Sequence, residues 1–161
     1  MKVTSAVSLR PATAADGDAL WHWRNEPSAR RMFFNGDPIP LEAHRRWLAA
    51  KLGDPALRLL IVVDGAGEAV GYVRCEARGD VGEVSIALAP AARGKGYGTA
   101  ALREAAARLF AEGTLRALRA YVLPHNAASV RAFERAGFVL RPGVAEVAGH
   151  AAHELVRERS S

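Results

Sequence analysis

The chain has 161 residues, 50% of them hydrophobic and 24% charged, with a formal net charge of +5 at pH 7. That length suits one domain, 1–161, able to bury roughly two-thirds of its unfolded surface. No apolar run approaches the roughly 20 residues of a bilayer span, and a single cysteine, Cys75, excludes an internal disulfide framework.

Only three of the 22 basic residues are lysines (Lys2, Lys51 and Lys95). The arginine surplus reads first as a genomic preference and second as attraction to an anionic ligand. Basic residues are dispersed among acids rather than gathered in a tract, which argues against nucleic acid as a partner. The opening MKVTSAVSLRPATAAD has no long apolar segment, so neither a secretory signal nor a membrane role is expected and the protein reads as cytoplasmic.

In chain order, Val7, Leu9 and Arg10 before Pro11 predict a short first strand. Thr13 or Asp16 then caps a helix with Leu20, Trp21 and Trp23 as its apolar content, ended or interrupted by Pro27. NGDPIP is a turn cluster, and 41–52 (LEAHRRWLAAKL) reads as a second helix burying Leu41, His44 or Arg45, Leu48 and Leu52. A hairpin follows, with strands at 57–63 and 70–77. The central strand comes next, with Glu83 at its start and Val84, Ile86 and Leu88 as its apolar residues, stopped by Pro90. The alanine-rich helix beyond carries Leu102, Leu109 and Phe110. Then come a strand at 115–123, a short helix at 127–136 ended by Gly137, a strand from Phe138 to Leu140, and a last one at 153–157. The fold class is α/β (α+β): a mixed layer with helices on both faces of one sheet.

Between the central strand and its helix lie Arg93, Gly94, Lys95, Gly96, Tyr97, Gly98 and Thr99. Glycines at a strand-to-helix junction let backbone approach a ligand, and the free N–H groups of the first helical turn favour phosphate. A Walker loop needs Ser or Thr after Gly94-Lys95, where Gly96 stands. A dinucleotide fingerprint needs a third glycine at position 99, where Thr99 stands. What fits is Arg/Gln-x-x-Gly-x-Gly/Ala, as Arg93, Gly96 and Gly98. It resembles the pyrophosphate loop of the GNAT superfamily of acyl-CoA-dependent N-acyltransferases. A second segment, N-A-A-S-V-R-A-F-E-R-A-G-F from Asn126 to Phe138, has the plain reading of a capped helix. It is also similar to the Asn-helix-Gly-Phe segment that follows the loop in that superfamily.

The resemblance covers nearly the whole chain and implies a mostly antiparallel sheet, splayed between its fourth and fifth strands, with acetyl-CoA as co-substrate and no metal. It implies that main-chain groups of Ile86, Ala87 and Leu88 meet the pantetheine arm beside a bulged edge, and that Leu88 supplies the oxyanion N–H. Gly94 through Thr99 hold the pyrophosphate with Arg93 at their head, and Asn126 and Ser129 contact the CoA arm. The amine attacks directly, with Glu83 as base and Tyr121 as the second candidate. Phe133 departs from the pattern. Many members carry a proton-donating Tyr there, whereas Phe133 packs against the CoA arm without a proton to give. W-R-N-x-P, with Arg31, Met32, Phe33, Ile39 and Glu42 to His44, is similar to the amino-sugar acetyltransferases of pseudaminic acid biosynthesis and the ribosomal-protein N-terminal acetyltransferases. Arg24, Met32 or Phe33, and His44 would then clasp a nucleotide-linked amino sugar. Equally, Trp21, Trp23, Phe33 and Trp47 build a core between helices. The expected acceptor is a small amine. The alternatives are a protein N-terminal or lysine acetyltransferase and, because of Phe133, a non-catalytic acyl-CoA sensor. An exposed final strand offers an edge for a homodimer.

Overall fold

Strands that are apolar on both sides force helices onto both faces of a sheet. The computed structural model describes residues 6–160; residues 1–5 and 161 of the expected domain lie outside the described residues. The strands run in the order β1 (Ser8–Pro11), β2 (Leu57–Val63), β3 (Ala69–Arg78), β4 (Val81–Leu88), β5 (Ala117–Val122), β8 (His150–Glu158) and β6 (Val139–Leu140), and β7 (Ala145–Val147) also pairs with β8. Among the described residues only β4 with β5 is parallel.

In β2 the alternation is plain. Leu57, Leu59 and Ile61 join one core with Tyr72, Leu20 of α1 (Gly17–Asn25) and Leu48 of α3 (Leu41–Lys51), with Trp23 and Trp47 packed against it. Leu60 and Val62 point the other way, into a larger core with Leu102, Ala105 and Leu109 of α4 (Tyr97–Ala111) and Phe133 of α5 (Ala127–Arg135). Each such leucine, fully buried, stabilises the fold by about 1.5–3 kcal/mol. Two of the expected tryptophans therefore do line a core. Trp21 does something else: its Nε1–H donates to the Ile39 carbonyl at 2.6 Å and pins the loop before α3.

Several expectations need correction. Pro27 interrupts the first helix as expected, with α1 ending at Asn25, but the chain does not leave the helical region there: Pro27 opens a short α2 (Pro27–Arg30), capped by Glu26, whose carboxylate accepts from the Ser28 and Ala29 N–H groups. Proline suits a first helical position because its missing N–H is an orphan there anyway. On α3 the buried pair is His44 and Leu48, whereas Arg45 and Leu52 are exposed. The last strand starts earlier, at His150, because an Ala148-Gly149 turn with both φ positive makes a hairpin with β7. Nor is that strand an edge: β8 lies between β5 and β6, so the homodimer edge expected there is already paired. The register of β3 with β4 also runs without a break from Gly71↔Leu88 to Arg78↔Val81, and the one shift in this part of the sheet falls between Val62 and Val63. The expected bulge is therefore not on the β3 side of β4.

The feature that positions the site is the parting of β4 and β5. They pair only at Val81↔Ala117, Gly82↔Leu118 and Glu83↔Arg119, although β4 runs on to Leu88 and β5 to Val122. At the joined end, Gly82 is required. A Cβ there would lie 2.6 Å from Cys75 Sγ and 3.0 Å from both Leu115 and Leu118. Past Glu83 the β5-facing edge of β4 has no strand partner.

Candidate active site

The glycine turn lies at the open end of the β4–β5 gap. Gly94 and Gly96 both take positive φ, 75° and 81°, a region that glycine enters without steric cost. Gly96 is the N-cap, so Tyr97, Gly98 and Thr99 belong to α4 itself rather than to the preceding turn. No side chain caps this helix, and its first bond runs from Ala100 N–H to Gly96 O at 3.2 Å. The N–H groups of Tyr97 to Thr99 therefore point out of the helix start, where the macrodipole favours an anion. Gly98 faces Ala132 and Leu88, which lie 3.7 and 3.8 Å from where its Cβ would be, ordinary van der Waals contact. The Arg93 guanidinium faces away from this cradle and donates to Ser28 Oγ at 2.6 Å and Glu26 Oε2 at 3.2 Å. It ties the turn to α2. Lys95 is exposed.

Across the gap, Asn126 caps α5 by accepting from the Ser129 N–H at 3.3 Å. Phe133 is 2% exposed and meets Phe138 edge-to-face at 4.9 Å. Its ring is consumed by the core and supports the groove from beneath instead of lining it. Ile86, Ala87 and Leu88 are half-buried along the unpaired edge.

On the α1–α3 face, the sheet beyond the second core turns polar. Strand alternation puts Arg74 and Glu76 of β3, Glu83 and Ser85 of β4, and Arg119 and Tyr121 of β5 on that side. Glu83 stands at the fork of the gap. One oxygen accepts from Arg119 Nη2 at 2.9 Å, and the other lies 3.6 Å from Arg78 Nε. Tyr121 lies under the Arg119 guanidinium, 5.2 Å from ring centre to Cζ. Burial raises its phenol above the ordinary value against the opposing pull of Arg119, with Glu154 adding to the rise. The hydroxyl is held protonated at neutral pH. Cys75 is buried on the opposite face, and burial pushes its thiol up to about 12; it is a core residue.

Of the four expected acceptor-side residues, the structure brings Arg24 and Phe33 into direct contact. The Arg24 guanidinium lies 4.0 Å over the Phe33 ring, covering the face a base would stack on, and donates to the Asn35 carbonyl at 2.7 Å. Met32 is exposed. His44 is 5% exposed beneath the acceptor face, its ring 5.5 Å from Trp47. Burial first, then Arg24, lowers its pKa, so it is neutral at pH 7. Three residues missed in the sequence complete this region: Glu26, Arg74 and Arg119. The two arginines had a usable signal, since each alternates with buried strand residues and so must face the acceptor side. A broad, open depression of about 890 Å³ lies elsewhere. Arg103, Arg135, Arg141 and Arg157 line it, and the carbonyls of Arg135 and Ala136 already satisfy Arg103 and Arg157.

Among the described residues no helix is long and apolar enough to cross a membrane. The family model described as Acetyltransferase (GNAT) domain matches residues 7–139. YwnH of Bacillus subtilis (strain 168), provisionally named a phosphinothricin acetyltransferase, is 31% identical over 153 residues, 89% of this chain and 92% of that protein. A crystal structure of a protein with a like provisional name, a phosphinothricin N-acetyltransferase, is 30% identical with a TM-score of 0.76, covering 97% of this chain and all of the other. The aminoglycoside acetyltransferase AAC(6')-Ib, bound to ribostamycin and coenzyme A, shares the fold with a TM-score of 0.84 at 24% identity, over 96% of this chain and 94% of the other.

Proposed function

Because the chain belongs to the GNAT acetyltransferase family, we propose that its single domain, 1–161, moves an acetyl group from acetyl-CoA to the primary amine of a small molecule. The observation that carries this is the parting of β4 from β5 immediately before an uncapped, glycine-rich helix start. The N–H groups of Gly94 to Thr99 hold the pyrophosphate. The free edge from Ile86 to Leu88 pairs with the pantetheine as an added strand would, and Asn126 and Ser129 flank the thiol end. Leu88 N–H receives the developing oxyanion. The amine attacks the thioester directly, with no acetyl-enzyme, and the cleft's task is to hold it close to the carbonyl in its deprotonated form.

Glu83 is the proton's destination in this reading. Both its oxygens already face a guanidinium, so the proton reaches it through water. Tyr121, kept protonated, supplies the departing thiolate, the part Phe133 has no hydroxyl to play. A compact acceptor is favoured, since Arg24 covers Phe33. A nucleotide-linked amino sugar is the second reading, supported by exposed Met32 beside that stack.

The test is release of CoA thiol from acetyl-CoA across an amine panel, with the acetylated product and the intact protein followed by mass. Acetylated amine without acetylated protein is the expected result. Tight acetyl-CoA binding with no turnover on any amine would make the protein a sensor and sink the transfer reading.

A further inference from the structure

At the β6 end of the sheet, cations gather that no carboxylate answers. β4 pairs with β5 at Glu83↔Arg119, β5 with β8 at Arg119↔Val156, and β8 with β6 at Val139↔Val156. Val139 is thus three strand spacings from Glu83, roughly 14 Å. Beside it lies the open depression of about 890 Å³. Arg103 of α4, Arg135 at the end of α5, Arg141 after β6 and Arg157 of β8 line it, and Glu158 is the one acidic lining residue.

Among the described residues none of these four arginines pairs with a carboxylate. In other parts of the surface Arg10 has Asp16, Arg58 has Glu112 and Arg116 has Asp80. Arg103 donates through Nε and Nη2 to the Arg135 carbonyl at 3.1 and 2.7 Å, and Arg157 Nη1 donates to the Ala136 carbonyl at 2.7 Å. A carbonyl accepts a hydrogen bond but cancels no charge. These bonds hold two guanidinium groups still over the last turn of α5. Arg135 and Arg141 are exposed, and among the described residues their side chains have no partner.

The same corner carries exposed apolar surface. The exposed large hydrophobic residues among those described are Met32, Leu52, Val139, Leu140 and Val144, and three of the five lie within 139–144. Val139 is 66% exposed and Val144 73%. β6 is also the outermost strand at this end. Arg141 N–H bonds the Glu154 carbonyl of β8, so Leu140, one residue earlier, turns its own N–H and C=O away from β8. One pair of main-chain groups is open at the sheet edge.

Unpaired arginine charge around exposed apolar side chains is the composition of an interface rather than of a solvated face. The charge also selects the partner. A second copy docked through the same face would set four arginines against four, and like charges suppress that pairing. A nucleic-acid strand would stack its bases on aromatic side chains, and none lines the depression. An acidic polypeptide answers all three features: carboxylates for the guanidinium forks, an apolar side chain for Val139, and main-chain groups for Leu140. We propose that the depression beside β6 docks an extended acidic segment of another protein, with its carboxylates on Arg103, Arg135, Arg141 and Arg157 and an apolar side chain on Val139. This surface is separate from the cleft, so docking needs neither acetyl-CoA nor an acceptor amine.

The probe is a fluorescein-labelled peptide alternating Glu and Val, titrated with the full chain and followed by anisotropy. The comparison probes are peptides alternating Lys and Val or Glu and Ser, and single-stranded DNA of equal charge. The Glu–Val peptide should bind about tenfold or more tighter than each of these, and its binding should weaken as salt rises. Arg135→Gln combined with Arg141→Glu should weaken it about tenfold or more. Val139→Ser should weaken it to a smaller degree. Both changes fall on exposed side chains, so the melting temperature and the acetyl-CoA affinity should hold. A Glu–Val peptide that does not bind, or whose binding the double variant leaves unmoved, overturns the proposal. Equal binding of the Glu–Ser peptide reduces the face to bare charge and overturns it too, and tighter binding of DNA reassigns the face to nucleic acid. A dimer in sedimentation that Val139→Ser dissolves would give the face to a second copy instead. Loss of acetyl-CoA affinity in the double variant would make these arginines part of the donor site and end the docking reading.

Discussion

The two halves of the cleft are built from different materials. The proposed donor side, from Glu83 to Phe110, is made of backbone: an unpaired strand edge, two glycines at positive φ and an uncapped helix start. The acceptor side is made of side chains from α1, α3, β3, β4 and β5, held by an arginine stack on Phe33 and carboxylates shared among several cations. Backbone recognition depends on where the chain goes, so it tolerates few changes and is insensitive to pH. Side-chain recognition depends on which charges meet, so it is graded and pH-sensitive. Side chains join the halves at two points: Arg119 bonds Glu83 at the fork, and Arg93, at the head of the glycine turn, bonds Glu26 and Ser28 at the start of α2.

The largest effect should come from filling the backbone cradle. Gly96→Trp places a ring in the proposed pyrophosphate cradle, and a non-glycine residue at φ 81° costs about 1–3 kcal/mol besides. Acetyl-CoA binding measured calorimetrically should become undetectable, with the circular dichroism of the fold retained. Unchanged affinity would remove the turn from the donor site altogether. Next comes the joined end of the strands. Gly82→Ala puts a methyl 2.6 Å from Cys75 Sγ and 3.0 Å from Leu115 and Leu118, overpacking that should cost about 1–3 kcal/mol in urea unfolding. Loss of stability without a shift in either KM would show the fork to be a scaffold for both halves alike.

This difference in material also explains what was legible in the sequence. Arg93, Gly96 and Gly98 sit within six positions, and the Asn126-to-Phe138 segment is equally local, so the donor side could be read along one strand-turn-helix unit. The acceptor side could not. Glu26 enters through its contact with Arg93, and Glu76, the neighbour of Arg74 on β3, through its contact with Lys51, both across the fold. Nothing in linear spacing marks those pairings. Strand alternation does place Arg74 on the face of Tyr72, but which charges are left unmet is decided only once α1 and α3 have packed. The missed hairpin of β7 and β8 had a fainter signal, since its turn is an Ala148-Gly149 pair rather than Asn-Gly.

The Arg93 contact between the halves should give a smaller effect. Glu26→Ala removes the α2 cap and releases Arg93. It should lower the melting temperature slightly and raise both KM values together, since the turn and α2 lose their common anchor. The Ser28 hydroxyl and N–H, helped by the Ala29 N–H and Arg93, hold the Glu26 carboxyl at about 2. That is below the ordinary 4.3 or so of a free glutamate. Its contribution is therefore complete above about pH 4.3 and fades as pH falls toward 2. Parent and variant unfolding midpoints should converge over that window. Movement of one KM alone would mean the halves are not coupled through Arg93.

The smallest expected effect separates the halves by pH. His44 is buried beside Arg24, and both burial and that positive neighbour hold its pKa below the ordinary 6.5 or so. In the unfolded chain the ring takes a proton near pH 6.5; in the folded protein it resists until the pH is lower. The unfolded state thus binds more protons in between, and stability must fall as pH drops below about 6.5. Urea midpoints between pH 7.5 and 5 should show this slope, and His44→Gln, which has no such proton to gain, should flatten it. Acetyl-CoA affinity should stay level across the same range if, as proposed, main-chain N–H donors hold it. A slope of equal size in His44→Gln would assign the acid sensitivity to other groups and leave the His44 ring as packing for Trp47 alone.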